Sequence, residues 1–139
     1  MASRAPLPLR VLVADDERDT VLMMAAILRD EGHEVHTVLR GDEVLELDRL
    51  VRPDVVILDI EMPGMSGYSV AREIRTRRGM AAPLLIAMSG KWTGKEEQLL
   101  AQHVGFDHYL LKPCQPGEVI GLLDAFRRQG GDQMHDRRA

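Results

Sequence analysis

The feature that most limits how this chain can fold is the alternation of short aliphatic runs with segments of helical periodicity. Along the 139 residues, five runs rich in valine, leucine and isoleucine are each followed by a segment whose apolar residues recur at helical spacing. Parallel strands require crossover connections, and these connections are right-handed. The alternation therefore predicts an α/β fold, with a five-stranded parallel sheet and helices on both of its faces.

Glycine, proline and charged residues delimit the predicted elements. Strands are predicted over 9–14, 34–38, 55–58, 84–88 and 107–111, and the second, third and fourth helices over 41–51, 68–78 and 95–103. The first helix is predicted from the apolar stripe Val21, Met24, Ala25 and Leu28 and ends at Glu31-Gly32, and the last helix is predicted from the stripe Val119, Leu122, Leu123 and Phe126. The second strand alternates polar and apolar residues, which is typical of a half-exposed edge strand. The third strand is apolar on both faces, as expected for a strand covered by helices on both sides.

The chain is predicted to form one domain over residues 9–128. Residues 1–8 and 129–139 are expected to be flexible termini, because the tail is polar and interrupted by glycines. Hydrophobic residues make up 45% of the chain, which is enough for a core, and aromatic residues only 4%. Few aromatic rings and a net charge of −4 argue against general nucleic-acid binding.

Location and completeness are predicted from the same composition. The sequence has a single cysteine, no apolar stretch of membrane-spanning length and no secretory signal pattern. We therefore expect a cytoplasmic protein without membrane association. The initial Met1 and a tail unlike a linker favour a complete protein, while a module excised from a longer chain remains the alternative.

Polar side chains follow four of the five predicted strands at the point where each strand ends. Carboxyl ends of parallel strands meet at one edge of a sheet and form its ligand crevice. The side chains predicted to meet there are Asp15, Asp16, Glu17, Asp59, Ser89 and Lys112. Taken singly, each is typical of a helix cap, a turn or a surface lysine. Their coincidence at one edge predicts a functional site.

Several aspartates at one edge repel each other unless a cation or raised pKa values relieve the charge. Two like charges about 4 Å apart repel by about 4 kcal/mol at an effective dielectric constant near 20. Hard oxygen ligands with room for water favour Mg²⁺. A nearby ammonium and hydroxyl would suit the oxygens of a phosphoryl group on its way to a carboxylate.

The motifs around these residues resemble the receiver domain of bacterial two-component response regulators. They are VLVADDE at the first strand, VVILDIEMPGMSGY around Asp59, AMSG at Ser89 and YLLKP at Lys112. The resemblance extends from about Leu9 to Arg128. It implies a flavodoxin-like doubly wound (βα)5 fold with strand order 2-1-3-4-5, and a Lys112–Pro113 bond that is often cis in the family.

The resemblance also implies a role for each site residue. Asp59 would be the phospho-acceptor, and Mg²⁺ would be held by Asp15, Asp16, Asp59 and the backbone carbonyl of Glu61. Lys112 would be the ammonium that pairs with the phosphate. Ser89 would be the switch hydroxyl, and Tyr109 the switch aromatic.

Other distinctive residues are predicted to have lesser roles. Glu61 is expected to tune the rate of phosphate loss. Trp92 is either a loop residue or a fluorescence reporter of the site, and Cys114 is interpreted as a packing residue. The histidines show no metal-ligand spacing and are interpreted as surface residues; they are His33, His36, His103, His108 and His135.

The predicted function is a phospho-acceptor switch and not an enzyme. Its donor would be a sensor histidine kinase or a phosphotransfer protein. Phosphorylation would change the face formed by the fourth helix, fifth strand and fifth helix, which would then bind a downstream partner, unless the phosphate is relayed onward. Direct DNA binding is not expected, and the protein is predicted to be a monomer or weak dimer.

Two other functions fit parts of the sequence less well. An aspartate-dependent phosphatase pairs a nucleophilic aspartate with an acid two residues later, as do Asp59 and Glu61, but its nucleophile follows the first strand. A flavodoxin-like cofactor binder requires a phosphate-binding loop after the first strand, where this chain has three acids. Both are disfavoured against the phospho-acceptor.

Overall fold

The computed structural model describes residues 7–90 and 94–138, and it contains five strands and five α-helices in alternation. Trp92, the possible fluorescence reporter, lies outside the described residues. The elements in chain order are β1 (Arg10–Ala14), α1 (Arg18–Asp30), β2 (Glu34–Val38), α2 (Gly41–Val51), β3 (Val55–Asp59), α3 (Gly67–Arg78), β4 (Leu84–Ser89), α4 (Lys95–Val104), β5 (His108–Leu111) and α5 (Pro116–Arg138).

The five strands form one parallel sheet in the order β2-β1-β3-β4-β5. This confirms the predicted flavodoxin-like doubly wound fold. All residues of the central strand β3 are buried, whereas β2 lies at the edge and exposes part of its length. The fold therefore places the end of β3 between its neighbours β1 and β4.

Helices cover both faces of the sheet and enclose two aliphatic cores. One core lies under α2, α3 and α4 and includes Val44, Ile74 and Val104. The other lies under α1 and α5 and includes Leu28 and Leu123. The apolar stripe that predicted α1 is buried, and the stripes that predicted α2 and α5 are buried or partly buried, so burial of these stripes holds the sheet between two helical layers.

Two helices extend beyond the apolar residues that predicted them. Helix α1 begins at Arg18, before the first apolar residue of its periodic stripe. Helix α5 extends from Pro116 to Arg138, beyond its stripe at both ends. No helix in the described part of the chain combines the length and apolarity needed to cross a membrane.

The interpretation of His33 as a surface residue is wrong. His33 is buried, and its Nδ1 accepts a hydrogen bond of 3.2 Å from the backbone N–H of Leu9. Burial lowers the pKa of His33, and the nearby Arg127 lowers it further. His33 therefore joins the start of β1 to the end of α1 as a neutral imidazole.

Candidate functional site

The carboxyl ends of β1, β3, β4 and β5 bring the predicted site residues together. Asp15 follows β1, Asp59 ends β3, Ser89 ends β4 and Lys112 follows β5. The register pairs Asp59 with Met88, so Ser89 lies one residue farther along the neighbouring strand. The sheet thus gathers residues from distant parts of the sequence at one edge.

Three carboxylates form the acidic part of this site. One oxygen each from Asp15, Asp16 and Asp59 lies within 4.8 Å of the others. Asp15 and Asp59 are buried, and Asp16 is exposed. At an effective dielectric constant of 20, two charges at this separation repel by about 3.5 kcal/mol. The buried pair therefore requires a nearby positive charge.

Lys112 supplies that charge. Its Nζ lies 2.6 Å from Asp15 Oδ2 and 2.9 Å from Asp59 Oδ2, to which it donates a hydrogen bond. Burial alone would lower the pKa of Lys112, but its interactions with the carboxylates of Asp15 and Asp59 raise it above its ordinary value. Lys112 is therefore a permanent cation shared by two carboxylates.

Asp59 carries opposing influences on its charge. Burial raises its pKa above the ordinary value, while hydrogen bonds from Lys112 and from the Glu61 backbone N–H act in the opposite direction. The net shift is upward, with Asp15 adding to it. Burial thus destabilises the ionised form of Asp59, and a bound cation would relieve this by compensating the charge.

The two buried carboxylates are oriented by the same local turn. Glu17 N–H donates to Asp15 Oδ1 at 3.0 Å, and Glu61 N–H donates to Asp59 Oδ1 at 3.0 Å. In each case the donor lies two residues after the aspartate, which is the geometry of an Asx turn. The repeated Asp-x-Glu spacing is the sequence signal for this arrangement, and our sequence analysis did not use it.

The plain alternative, that these aspartates cap helices, does not describe the geometry. The residue preceding α1 is Glu17, whose side chain makes no capping hydrogen bond. Ser66 caps α3, where its Oγ accepts from Ser69 N–H at 3.3 Å. Asp15 and Asp59 are therefore available to the site.

Glycine at the start of α3 allows the helix to approach the end of β3. A Cβ on Gly67 would lie 2.6 Å from Ile60 Cα and 2.8 Å from the Asp59 carbonyl oxygen. The Gly67 N–H also donates to the Ile60 carbonyl at 2.9 Å. This close approach fixes the loop between Asp59 and α3, and with it the position of Glu61.

The donor set fits a hard divalent cation. Three carboxylates converge, and the buried Oδ2 of Asp15 has no aligned hydrogen bond despite its short contact with Lys112. A buried carboxylate oxygen without a hydrogen bond costs free energy that a metal ion would recover. Asp15, Asp16 and Asp59 are the described residues able to hold such an ion.

Ser89 and Tyr109 lie on the neighbouring strands β4 and β5. Ser89 is buried at the end of β4. Tyr109 pairs with Ala87 in the sheet register, is half-buried, and lines a cavity of about 240 Å³ between α4 and β5. This cavity provides space around Tyr109 at the face that includes α4 and β5.

The segment after β5 matches its prediction. The Lys112–Pro113 bond is cis. Cys114 is partly buried against the core under α1 and α5, and burial raises its pKa to about 11. The side chain is therefore a protonated thiol at neutral pH, in keeping with its interpretation as a packing residue.

A cavity beside Lys112 was not predicted from the sequence. It has a volume of about 540 Å³ and is lined by apolar residues from α1, β4 and the segment after β5, with Glu17 and Thr20 at its polar part. Its apolar members include Met23, Met24 and Met88. Residues so far apart in sequence give no common pattern, which explains the omission.

Comparisons with known proteins agree with this geometry. The sequence profile described as "Response regulator receiver domain" matches residues 11–124. The DNA-binding response regulator MtrA of Mycobacterium tuberculosis is 33% identical over 124 residues, which are 89% of this chain and 53% of MtrA. The sensory transduction protein RegX3 of Mycobacterium bovis is 33% identical over 123 residues, which are 88% of this chain and 52% of RegX3.

Solved structures show the same relationship. The chemotaxis response regulator CheY4 of Vibrio cholerae superposes with a TM-score of 0.78 at 28% identity, covering 86% of this chain and 98% of CheY4. The chain spans about half the length of the curated relatives it matches. The family match, the strand order and the acidic cluster around Lys112 agree, and we conclude that the chain belongs to the response regulator receiver domain family.

Proposed function

We propose that this chain is a phospho-accepting signalling switch in which Asp59 takes a phosphoryl group from a phosphohistidine. The donor would belong to a sensor histidine kinase or a phosphotransfer protein. The observation that carries the proposal is the placement of the buried Asp59 carboxylate beside Lys112, with Asp15 and Asp16 completing an acidic cluster. Such a set neutralises phosphoryl oxygens and orients the accepting carboxylate.

The proposed transfer forms one bond and breaks one. An oxygen of Asp59 bonds to phosphorus as the bond between phosphorus and the donor's imidazole nitrogen breaks, and the nitrogen keeps the electron pair. The product is an acyl phosphate, which has about one more negative charge than the carboxylate and more acceptor oxygens. The Glu61 N–H holds Asp59 Oδ1 in place at 3.0 Å before the transfer.

Mg²⁺ is the proposed cofactor. Asp15, Asp16 and Asp59 would hold it, together with the backbone carbonyl of Glu61. When bound, the ion supplies positive charge against the phosphoryl oxygens and the carboxylates. Lys112 can then exchange its contact with Asp59 for one with a phosphoryl oxygen, since its ammonium reaches both sides of the cluster.

The proposed response begins at Ser89 and Tyr109. The Ser89 hydroxyl would donate a hydrogen bond to a phosphoryl oxygen, and Tyr109 would move into the space left near Ser89. The cavity beside Tyr109 supports this step because it leaves room for an alternative packing of the ring. The face of α4, β5 and α5 would then change shape and bind a downstream protein or relay the phosphate.

The experiment is phosphorylation by a small donor. Incubation with acetyl phosphate and Mg²⁺ should add one phosphoryl group, detected by intact mass, and the Asp59→Asn variant should gain none. Asp54→Asn is the matched control, because Asp54 is also buried but binds the backbone N–H of Arg10 at the other end of the sheet. Equal labelling of wild type and Asp59→Asn would refute the assignment.

The same protein and variants test the remaining predictions. Turnover of an aryl phosphate would indicate the phosphatase alternative, whereas the switch should take one phosphoryl group and lose it slowly. Size-exclusion chromatography with light scattering will test the predicted monomer or weak dimer. Direct DNA binding is not proposed for this chain, and its cytoplasmic location and the possibility of a longer parent protein stay predictions.

A further inference from the structure

A second charged cavity lies at the end of the sheet opposite the acidic cluster. It has a volume of about 500 Å³ and lies between the ends of α2 and α3; we call it the arginine pocket, and it is lined by Glu46, Asp48, Arg49, Arg52, Arg77 and Arg78. Four guanidinium groups against two carboxylates leave an excess of positive charge. The chain as a whole has a net charge of −4, so this excess is local.

Arg78 anchors the arginine pocket from within the protein. Its side chain is only 10% exposed, and Nη1 donates to Asp48 Oδ1 at 2.8 Å and to the Pro53 carbonyl at 3.2 Å. The Nε of Arg78 is buried and has no hydrogen-bond partner. An unpaired buried donor is unfavourable, so the contacts within the described part of the protein leave this guanidinium incompletely satisfied.

Arg52 contributes a second unusual feature. Its backbone is left-handed, with φ 52° and ψ 64°, and within the described ranges it is the only residue other than glycine with positive φ. Glycine or asparagine is favoured at such a helix end. Among the described residues the Arg52 guanidinium has no ion-pair partner, so no ion pair within this part of the chain explains an arginine at this position.

The other arginines can turn toward a ligand at low cost. Arg49 pairs with Glu46 at 2.8 Å and Arg77 pairs with Glu73 at 3.0 Å, and both pairs are largely exposed. Exposed ion pairs contribute little to stability. The C-terminal ends of helices attract cations, which accounts for part of the arginine content at the C-terminal ends of α2 and α3. It does not account for the unpaired Arg52 or the orphaned Nε of Arg78.

We propose that the arginine pocket binds a compact anion with at least two phosphate groups, such as a nucleoside diphosphate or pyrophosphate. Guanidinium groups bind phosphate oxygens in bidentate geometry, and several of them converge here from two helices. The volume suits a small molecule. A long polyanion such as DNA is disfavoured, because the acidic remainder of the chain would repel it.

The proposal goes beyond the phospho-acceptor function and is independent of it. Asp59 ends β3 at one edge of the sheet, whereas Pro53, which contacts Arg78, precedes β3 at the other. A five-residue strand spans on the order of 15 Å. Binding in the arginine pocket therefore requires neither Asp59 nor a divalent ion, and the two sites can be tested separately.

The test is isothermal titration calorimetry in EDTA with pyrophosphate, ADP and orthophosphate as probes. We expect pyrophosphate and ADP to bind with Kd values of about 1 mM or tighter. Binding by both probes to equal extents would identify the diphosphate as the recognised group, and tighter binding of ADP would identify a nucleotide. Absence of binding by either probe, or orthophosphate binding as tightly as pyrophosphate, would overturn the proposal.

Matched double variants locate the binding. Arg49→Gln with Arg52→Gln should weaken pyrophosphate binding by about tenfold or more. Arg18→Gln with Arg72→Gln removes the same charge from exposed positions outside the arginine pocket and should leave binding unchanged. Equal weakening in both pairs would indicate nonspecific screening and refute the site. Binding that is lost only in Lys112→Ala would place the anion at the acidic cluster and refute it equally.

A glycine variant separates binding from folding. Arg52→Gly removes the charge and relieves the left-handed backbone, so the variant should melt a few degrees higher than wild type while binding pyrophosphate more weakly. Weaker binding in a more stable protein excludes unfolding as the cause. Undiminished binding would show that Arg52 is not part of the site.

Discussion

Replacing Asp59 by asparagine should stabilise the protein in the absence of divalent ions. The Asp59 side chain is 5% exposed, lies within 4.8 Å of an oxygen of Asp15, and is 2.9 Å from the Lys112 ammonium. At an effective dielectric constant of 20, the repulsion from Asp15 is about 3.5 kcal/mol and the attraction to Lys112 about 6 kcal/mol. Coulomb interactions alone would therefore favour the charged form.

Burial reverses this balance. Removing a carboxylate from water costs several kcal/mol, and the pKa of Asp59 is raised, which shows that burial and repulsion together outweigh the contacts with Lys112 and the Glu61 N–H. Asparagine removes the charge, and its single carbonyl oxygen can still accept from the Glu61 N–H, as Asp59 Oδ1 does. Lys112 also keeps its contact with Asp15 at 2.6 Å. We expect the free energy of unfolding to rise by about 1–3 kcal/mol.

Urea denaturation followed by circular dichroism measures this change in EDTA and again in Mg²⁺. Wild type should gain about 2.7 kcal/mol when Mg²⁺ is present at a hundred times its Kd, while Asp59→Asn, with one ligand fewer, should gain less. Asp54→Asn is the control with the opposite sign, since the charged Asp54 carboxylate accepts from the Arg10 N–H at 2.8 Å and a neutral amide oxygen would accept a weaker hydrogen bond there. If Asp59→Asn were less stable than wild type in EDTA, attraction by Lys112 would dominate and the reasoning would fail.

Three further predictions concern residues away from the cluster. The pKa of His33 is lowered in the folded protein, so the unfolded chain binds a proton at a higher pH than the folded protein does. The contribution of His33 to stability should therefore be full at neutral pH and fall as the pH drops below about 6.5. Melting curves recorded across this pH range should lose the dependence in His33→Gln. Gly67→Ala places a methyl carbon against the backbone at the end of β3 and should cost about 1–3 kcal/mol in urea denaturation; a neutral result would show that the loop yields. Arg78→Met leaves the buried Asp48 without its partner and should lower the free energy of unfolding by about 3–5 kcal/mol. A second change, Asp48→Leu, should restore most of this stability. If chemical denaturation shows no such rescue, Arg78 stabilises the protein by packing instead.

Local patterns predicted the elements, because their periodicity and their terminators lie within each segment. Strand β2 and helix α2 have the predicted bounds, since alternation ends at Val38 and helical spacing ends before Pro53. The site edge was also predictable, because parallel strands align their carboxyl ends. Asp15, Asp59 and Lys112 therefore meet as their positions after strands required.

What the sequence left undetermined depends on contacts between distant segments. His33 is buried beside Leu9, and Arg127 from α5 influences it, so no pattern around residue 33 indicates its environment. The same holds for the arginine pocket, which joins the ends of two helices. The left-handed backbone of Arg52 was equally hidden, because arginine carries no preference for that conformation.

The Lys112 ammonium contacts two carboxylates, so a change at one carboxylate alters the surroundings of the other. Lys112 contacts residues that follow different strands, Asp15 after β1 and Asp59 at the end of β3. Any chemistry at Asp59 that draws the lysine away leaves Asp15 with an uncompensated charge. The NMR chemical shift of the Asp15 side-chain carboxyl carbon should thus record modification of Asp59 without a label on the modified residue.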